Sequence, residues 1–210
     1  MKPASIPYHT GRFLLYFLAI GVAVFSMRYW GFQTMGILTL KTTDSVADPL
    51  FRLFFYGHVL FGPIALITGP VQFSPRLRQG KLPLHRALGK VYVLACLLSG
   101  LAGLGAAQYT LGGWVAEVGF SCLALAWLYT TYMAWHFIRK KEVEAHRRWM
   151  VRSFALTLAA VTLRMYLPLL EGVVGLSFVE SYRIVGWLCW VPNAVVAEIW
   201  LARSPQRKSA

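Results

Sequence analysis

Long stretches free of Asp, Glu, Lys and Arg set the pattern of the chain: Leu14 to Phe25, Leu53 to Pro75, Val91 to Ala116 and Val118 to Ile138. A helix needs roughly 20 predominantly apolar residues to cross a ~30 Å hydrocarbon core. These runs and their flanks meet that length, and they lack the broad polar face of a surface helix in a soluble domain. The pattern predicts spans near 13–32, 50–72, 87–108, 116–138, 149–170 and 184–202. The expected fold class is therefore all-α: one integral membrane domain over residues 1–210, a bundle of six transmembrane helices.

Composition agrees, because 57% hydrophobic against 14% charged residues leaves too little polar surface for a soluble domain. A net charge of +13 invites a nucleic-acid reading, but its placement excludes it. With those spans, sixteen of the 21 Lys and Arg fall on one side, in the groups Lys2–Arg12, Arg76–Lys90, Arg139–Arg152 and Arg203–Lys208. Arg28, Lys41, Arg52 and Arg183 fall on the other, and Arg164 lies inside a span. This asymmetry is the positive-inside pattern and puts both termini in the cytoplasm. The partners it implies are the bilayer and anionic lipid headgroups at the cytoplasmic loops.

Other features refine this outline. The first hydrophobic run ends in Met27-Arg28-Tyr29-Trp30 without a small-residue cleavage site, so it reads as a helix and not as a signal peptide. Cys96, Cys122 and Cys189 all fall within spans and read as small apolar residues. Trp30, Trp114, Trp135 and Trp149 stand at span ends, as an interfacial belt requires.

Chemistry enters through the helix faces. At about 100° per residue, His146, Ser153, Thr157 and Arg164 share a face of the fifth span. His85, Gly89, Tyr92, Cys96, Ser99 and Gly103 share one on the third, and His58, Gly62, Ala65, Gly69 and Gln72 one on the second. Ala95, Ser99, Gly103 and Ala107 form a small-residue ridge that admits a neighbouring helix. Pro63 and Pro70 are expected to kink the second span. Depth along the helices predicts an inner cluster of His85, His136 and His146, and an outer pair of His58 and Arg164. Arg164 has two expected outlets, snorkelling toward Glu171 or pairing with Glu117, and an arginine kept inside marks an anion, a quinone headgroup or a haem propionate.

The segments Gly57-His58-Val59-Leu60-Phe61-Gly62-Pro63, Gly69-Pro70-Val71-Gln72-Phe73, His85-Arg86-Ala87-Leu88-Gly89-Lys90-Val91-Tyr92 and His146-Arg147-Arg148-Trp149-Met150-Val151-Arg152-Ser153 resemble a bacterial family of multi-pass membrane proteins known only as a domain of unknown function. The resemblance covers roughly residues 50 to 170 and implies a membrane protein without implying an activity. More loosely, the layout is similar to two-haem transmembrane cytochromes b, which use histidine pairs at two depths. Gly119 stands where a partner for His58 would be needed, so this likeness implies one haem at most.

Three functions fit these observations. The first is a haem-b electron-transfer protein, with His85 and His146 as axial metal ligands, Arg86 and Arg147 beside the cofactor, and a membrane redox partner or quinone. The second is a small-solute, proton or lipid carrier with an intramembrane site at His58 and Arg164. The third is a non-catalytic assembly protein that presents the Ser99–Gly103 ridge to a partner.

Overall fold

The computed structural model describes residues 8–31 and 36–204. Lys2, Arg207 and Lys208, counted above for topology, lie outside them. The described residues are helical and contain no strand: α1 (Tyr8–Met27), α2 (Thr43–Ala47), α3 (Pro49–Val71), α4 (Pro75–Gly80), α5 (Leu82–Ala107), α6 (Trp114–Arg139), α7 (Val143–Thr157), α8 (Ala159–Gly172), α9 (Phe178–Leu188) and α10 (Val191–Arg203). Short 3-10 turns cover Arg28–Gly31 and Gly36–Leu40.

Among the described residues, five segments are long and apolar enough to cross a membrane: Phe13–Trp30, Pro49–Val71, Leu82–Ala107, Val143–Gly172 and Phe178–Arg203. Six were expected. The sixth, α6, has 26 residues and so the length of a span. Its aromatic and hydroxyl side chains, among them Trp127, Tyr129, Thr130, Thr131 and Tyr132, dilute its apolar character.

Local chemistry fixes where these helices begin. Asp48 accepts from the Leu50 N–H (2.8 Å) and Pro49 opens α3, where its missing N–H costs nothing. Ser177 and Glu180 form a reciprocal capping box at the start of α9. Pro63 and Pro70 lie inside α3 without breaking it. Pro63 cannot donate to the Val59 carbonyl one turn back, and the Trp30 indole N–H supplies that bond instead (3.1 Å).

The last two spans, expected to be continuous, are each interrupted. α7 gives way to α8 at Leu158, and α9 to α10 at Cys189–Trp190. One side chain sits at both interruptions. Asn193 Nδ2 lies within hydrogen-bond distance of the Ala155 carbonyl (3.3 Å), the Cys189 carbonyl (3.1 Å) and Thr162 Oγ1 (3.2 Å). Pro192, which has no N–H to give the Leu188 carbonyl, sets the second break, and the Asn193 amide inserted at the Ala155 carbonyl accompanies the first.

α3, α5, α6 and α7–α8 form the centre of the bundle. α1 lies on α3 and α8, while α9 and α10 cover α6, α7 and α8. In lipid, helix association depends on close packing and interhelical hydrogen bonds, because apolar burial offers little extra driving force. The α3–α5 contact follows this rule. An added Cβ at Gly57 would stand 3.2 Å from Ala102, and one at Gly62 would stand 3.4 Å from Ser99 Oγ. The ridge of Ala95, Ser99, Gly103 and Ala107 is therefore occupied by α3 of the same chain, which removes it as a surface for a partner protein. The outside of the bundle is lined by large apolar side chains, including Phe13 (69% exposed), Leu94 (59%) and Val196 (64%), as a lipid-facing surface requires.

Candidate functional site

Between α3, α5, α6 and α8, in the half of the bundle away from the arginine-rich loops, lies a cavity of about 240 Å³. Phe55, Leu66, Leu123 and Trp127 give it apolar walls, and the polar groups on it are few. Among them are His58, Arg164, Ser26 and Lys41, and no Asp or Glu lines it.

His58 presents surface to this cavity while its ring is held from behind. Its Nδ1 lies 3.0 Å from the Ser99 carbonyl and 3.1 Å from Ser99 Oγ. The Ser99 hydroxyl already donates to the His58 carbonyl (3.0 Å). In the neutral ring Nδ1 must therefore carry the proton and donate it to the Ser99 carbonyl, which leaves Nε2 as a bare acceptor. Gly103 makes this seating possible, since an added Cβ there would stand 2.8 Å from Nδ1.

Arg164 takes neither expected outlet. Its guanidinium turns inward across the bundle and donates to Ser26 Oγ on α1 (2.9 Å) and to the Ala160 carbonyl on its own helix (2.9 Å). The Ser26 hydroxyl in turn donates to the Val22 carbonyl (2.8 Å). Among the described residues, no carboxylate pairs with Arg164. Two of its five N–H donors are thus committed to neutral partners, and its charge is uncompensated. His58 lies close enough to feel that charge. The expected pairing of these two residues at one depth thus corresponds to a shared cavity.

The mouth of the cavity is bordered by the loop before α3 and the end of α5. Lys41 donates to the Tyr109 carbonyl and lies 5.0 Å over the Phe51 ring. Burial lowers the Lys41 pKa from its ordinary value. The Asp48 carboxyl is held below its ordinary range by the Leu50 N–H first and the Tyr109 hydroxyl second. The same contact raises the Tyr109 pKa. Lys41, Tyr109 and Ser26 were not singled out as site residues in the sequence. Only Ser26, a polar residue in an otherwise apolar run, carried a signal that could have found it.

Beneath the cavity, toward the arginine-rich end, lies a dry hydroxyl network. Tyr92 OH is 2.9 Å from both Ser153 Oγ and Thr157 Oγ1, and Thr131 Oγ1 is 2.7 Å from Ser153 Oγ. The Trp127 indole donates to Thr157 Oγ1 (3.0 Å), whose own proton goes to the Ser153 carbonyl (3.0 Å). These bonds fix one direction of donation, from Thr131 through Ser153 and Tyr92 to Thr157. The polar stripe of the fifth span faces inward here, as expected, and locks α5, α6 and α7 together.

At the arginine-rich end the three histidines separate. His85 and His146 are within electrostatic reach of each other. The His146 Nδ1–H donates to the Ala134 carbonyl (2.8 Å) and leaves Nε2 free. With its amide turned so that oxygen and nitrogen both meet complementary groups, Gln72 accepts from the Gly89 N–H (3.2 Å) and donates to the His85 carbonyl (3.3 Å) and to His85 Nδ1 (3.2 Å). A neutral His85 that accepts at Nδ1 carries its proton on Nε2, which disfavours that atom as an iron ligand unless Gln72 moves away. His136 packs against Tyr132 and Phe137 of its own helix. Arg147 pairs with Glu144 (3.5 Å) and Arg86 is exposed on α5. Among the described residues, no group of three or more His, Cys, Asp or Glu is placed to hold a metal ion.

A family model described as a predicted membrane protein, DUF2306, matches residues 55–201. No curated protein and no solved structure matches the chain.

Proposed function

The chain belongs to the DUF2306 family of predicted membrane proteins, and from that premise we propose that it is a carrier that binds a small solute in the cavity at His58 and Arg164. In this reading α6 is the sixth span, both termini are cytoplasmic, and the cavity is entered from the outer face of a bacterial inner membrane. The observation that carries the proposal is the cavity itself: an intramembrane space lined by an imidazole and a guanidinium with no counter-charge. Ionisable groups at such depth are costly and mark solute pathways. The interruption between α9 and α10, with Cys189 on the cavity wall, adds support, because carriers build midplane sites from discontinuous spans. The haem reading keeps His146 as a candidate ligand but loses support at His85.

Thiol labelling tests this reading without knowledge of the solute. In a background with Cys96, Cys122 and Cys189 replaced by alanine, Ala160→Cys places a thiol on the cavity wall and Thr110→Cys places one at its mouth. A carrier exposes the wall position to a membrane-impermeant maleimide from both faces, and the mouth position from the outer face alone. Labelling of Ala160→Cys from one face only would reduce the cavity to a static binding site.

A further inference from the structure

The charge and size of the cavity go further and narrow the solute. Resting on the carrier reading, we infer that the cavity selects a small organic anion, a carboxylate on an apolar body about the size of one ring. Arg164 supplies the first reason. It is a charge held within the bilayer on two neutral partners, with three N–H donors uncommitted. Hydrogen bonds to neutral partners offset only part of the cost of such a charge, an opposite charge offsets more, and among the described residues the protein provides none. A carboxylate is the planar, two-oxygen acceptor that a guanidinium binds best.

Lys41 at the mouth has the same sign and adds to the attraction for an anion, which the Asp48 carboxylate on the Tyr109 hydroxyl opposes there. The walls supply the second reason. Phe55, Leu66 and Leu123 offer no hydrogen bonds, so the body of the ligand is apolar. Volume supplies the third. An apolar cavity of about 150 Å³ accommodates benzene, so about 240 Å³ holds a ring with one substituent and excludes a long acyl chain. An anionic lipid headgroup shares the charge but would leave its two chains outside the cavity and its apolar walls without a ligand body.

Calorimetric titration of the detergent-purified full chain tests this. Sodium benzoate is the probe, and benzyl alcohol is its neutral counterpart. Benzoate is expected to bind at least about tenfold more tightly than benzyl alcohol, as one charge-assisted pair warrants. Arg164→Gln is expected to weaken benzoate by about tenfold or more. If that variant does not fold, Lys41→Gln, on the loop outside the spans, carries the test with an expected loss of about threefold.

Equal binding of the acid and the alcohol overturns the inference, and so does unaltered benzoate affinity in a folded variant. A third arm repeats the titration in nanodiscs with and without phosphatidylglycerol. Displacement of benzoate by that lipid would assign the cavity to a headgroup and overturn the small-acid class. The two proposals fail separately: two-sided labelling of Ala160→Cys without benzoate binding keeps the carrier and discards the anion. Benzoate binding with one-sided labelling does the reverse.

Discussion

A single methyl group at Gly103 probes the site more finely than removal of His58. The added carbon would stand 2.8 Å from Nδ1 and 3.3 Å from Cε1 of His58, so the ring must leave the Ser99 carbonyl. Gly103→Ala is expected to weaken benzoate binding by several-fold while the helical circular dichroism is unchanged. Gly69→Ala should behave oppositely. Its methyl would meet Phe154 at 2.7 Å and Tyr92 at 3.0 Å, and both rings are buried in the core. Overpacking of this kind costs about 1–3 kcal/mol, read as a lower midpoint of thermal unfolding in detergent. At this scale the sequence was partly legible. The helical repeat put His58 and Gly62 on one face of α3, and Ser99 and Gly103 on one face of α5, and these faces do meet. The partner of Arg164 was not legible, because Ser26 is 138 positions away and nothing local links the two.

The start of α3 has its own pH dependence. The Asp48 carboxyl is held below 3.8 by the Leu50 N–H and the Tyr109 hydroxyl. A lowered carboxyl value means a tether fully formed above the ordinary range and lost as pH falls through the lowered value. The Tyr109 hydroxyl is held above 10.0 by Asp48, so its contribution persists past the usual tyrosine range and is lost as pH rises through the raised value. The protection factor of the amides in segment 43–51, taken relative to the intrinsic exchange rate at each pH, is therefore expected to stay flat between those limits and to fall beyond both. Asp48→Asn should abolish the alkaline displacement while keeping most of the cap, since asparagine also caps helices. The helices themselves were readable from runs of apolar residues, which report burial in lipid directly. The break at Leu158 was not, because Leu158 carries no breaking signal and Asn193, the residue beside it, lies on another helix; the break before α10 did carry one in Pro192.

Across the whole bundle, the reading of six spans with cytoplasmic termini makes a direct prediction. Reporter fusions at the C-terminus should be active as cytoplasmic reporters, and those placed between α3 and α5 should be active on the same side. Protein purified after growth with ample haem precursor is expected to show no Soret band. A band that disappears in His146→Ala would restore the electron-transfer reading. The sequence could place His85 and His146 at one level but not the hydrogen atoms that decide whether imidazoles can ligate, since these depend on Gln72 of a different helix.

The paired interruptions also constrain how the bundle can bend. α8 and α9 pack together as a hairpin between Leu158 and Trp190, and Arg164 and Tyr182 on it form one wall of the cavity. Asn193 reaches across both breaks, so a tilt at one is transmitted to the other through a single amide. The hairpin is thus pinned at its base by one amide and latched along its length, by Arg164 to Ser26 on α1 and by Arg183 and Trp187 to the Gly112 and Val115 carbonyls, so the guanidinium is a fixture of a braced wall.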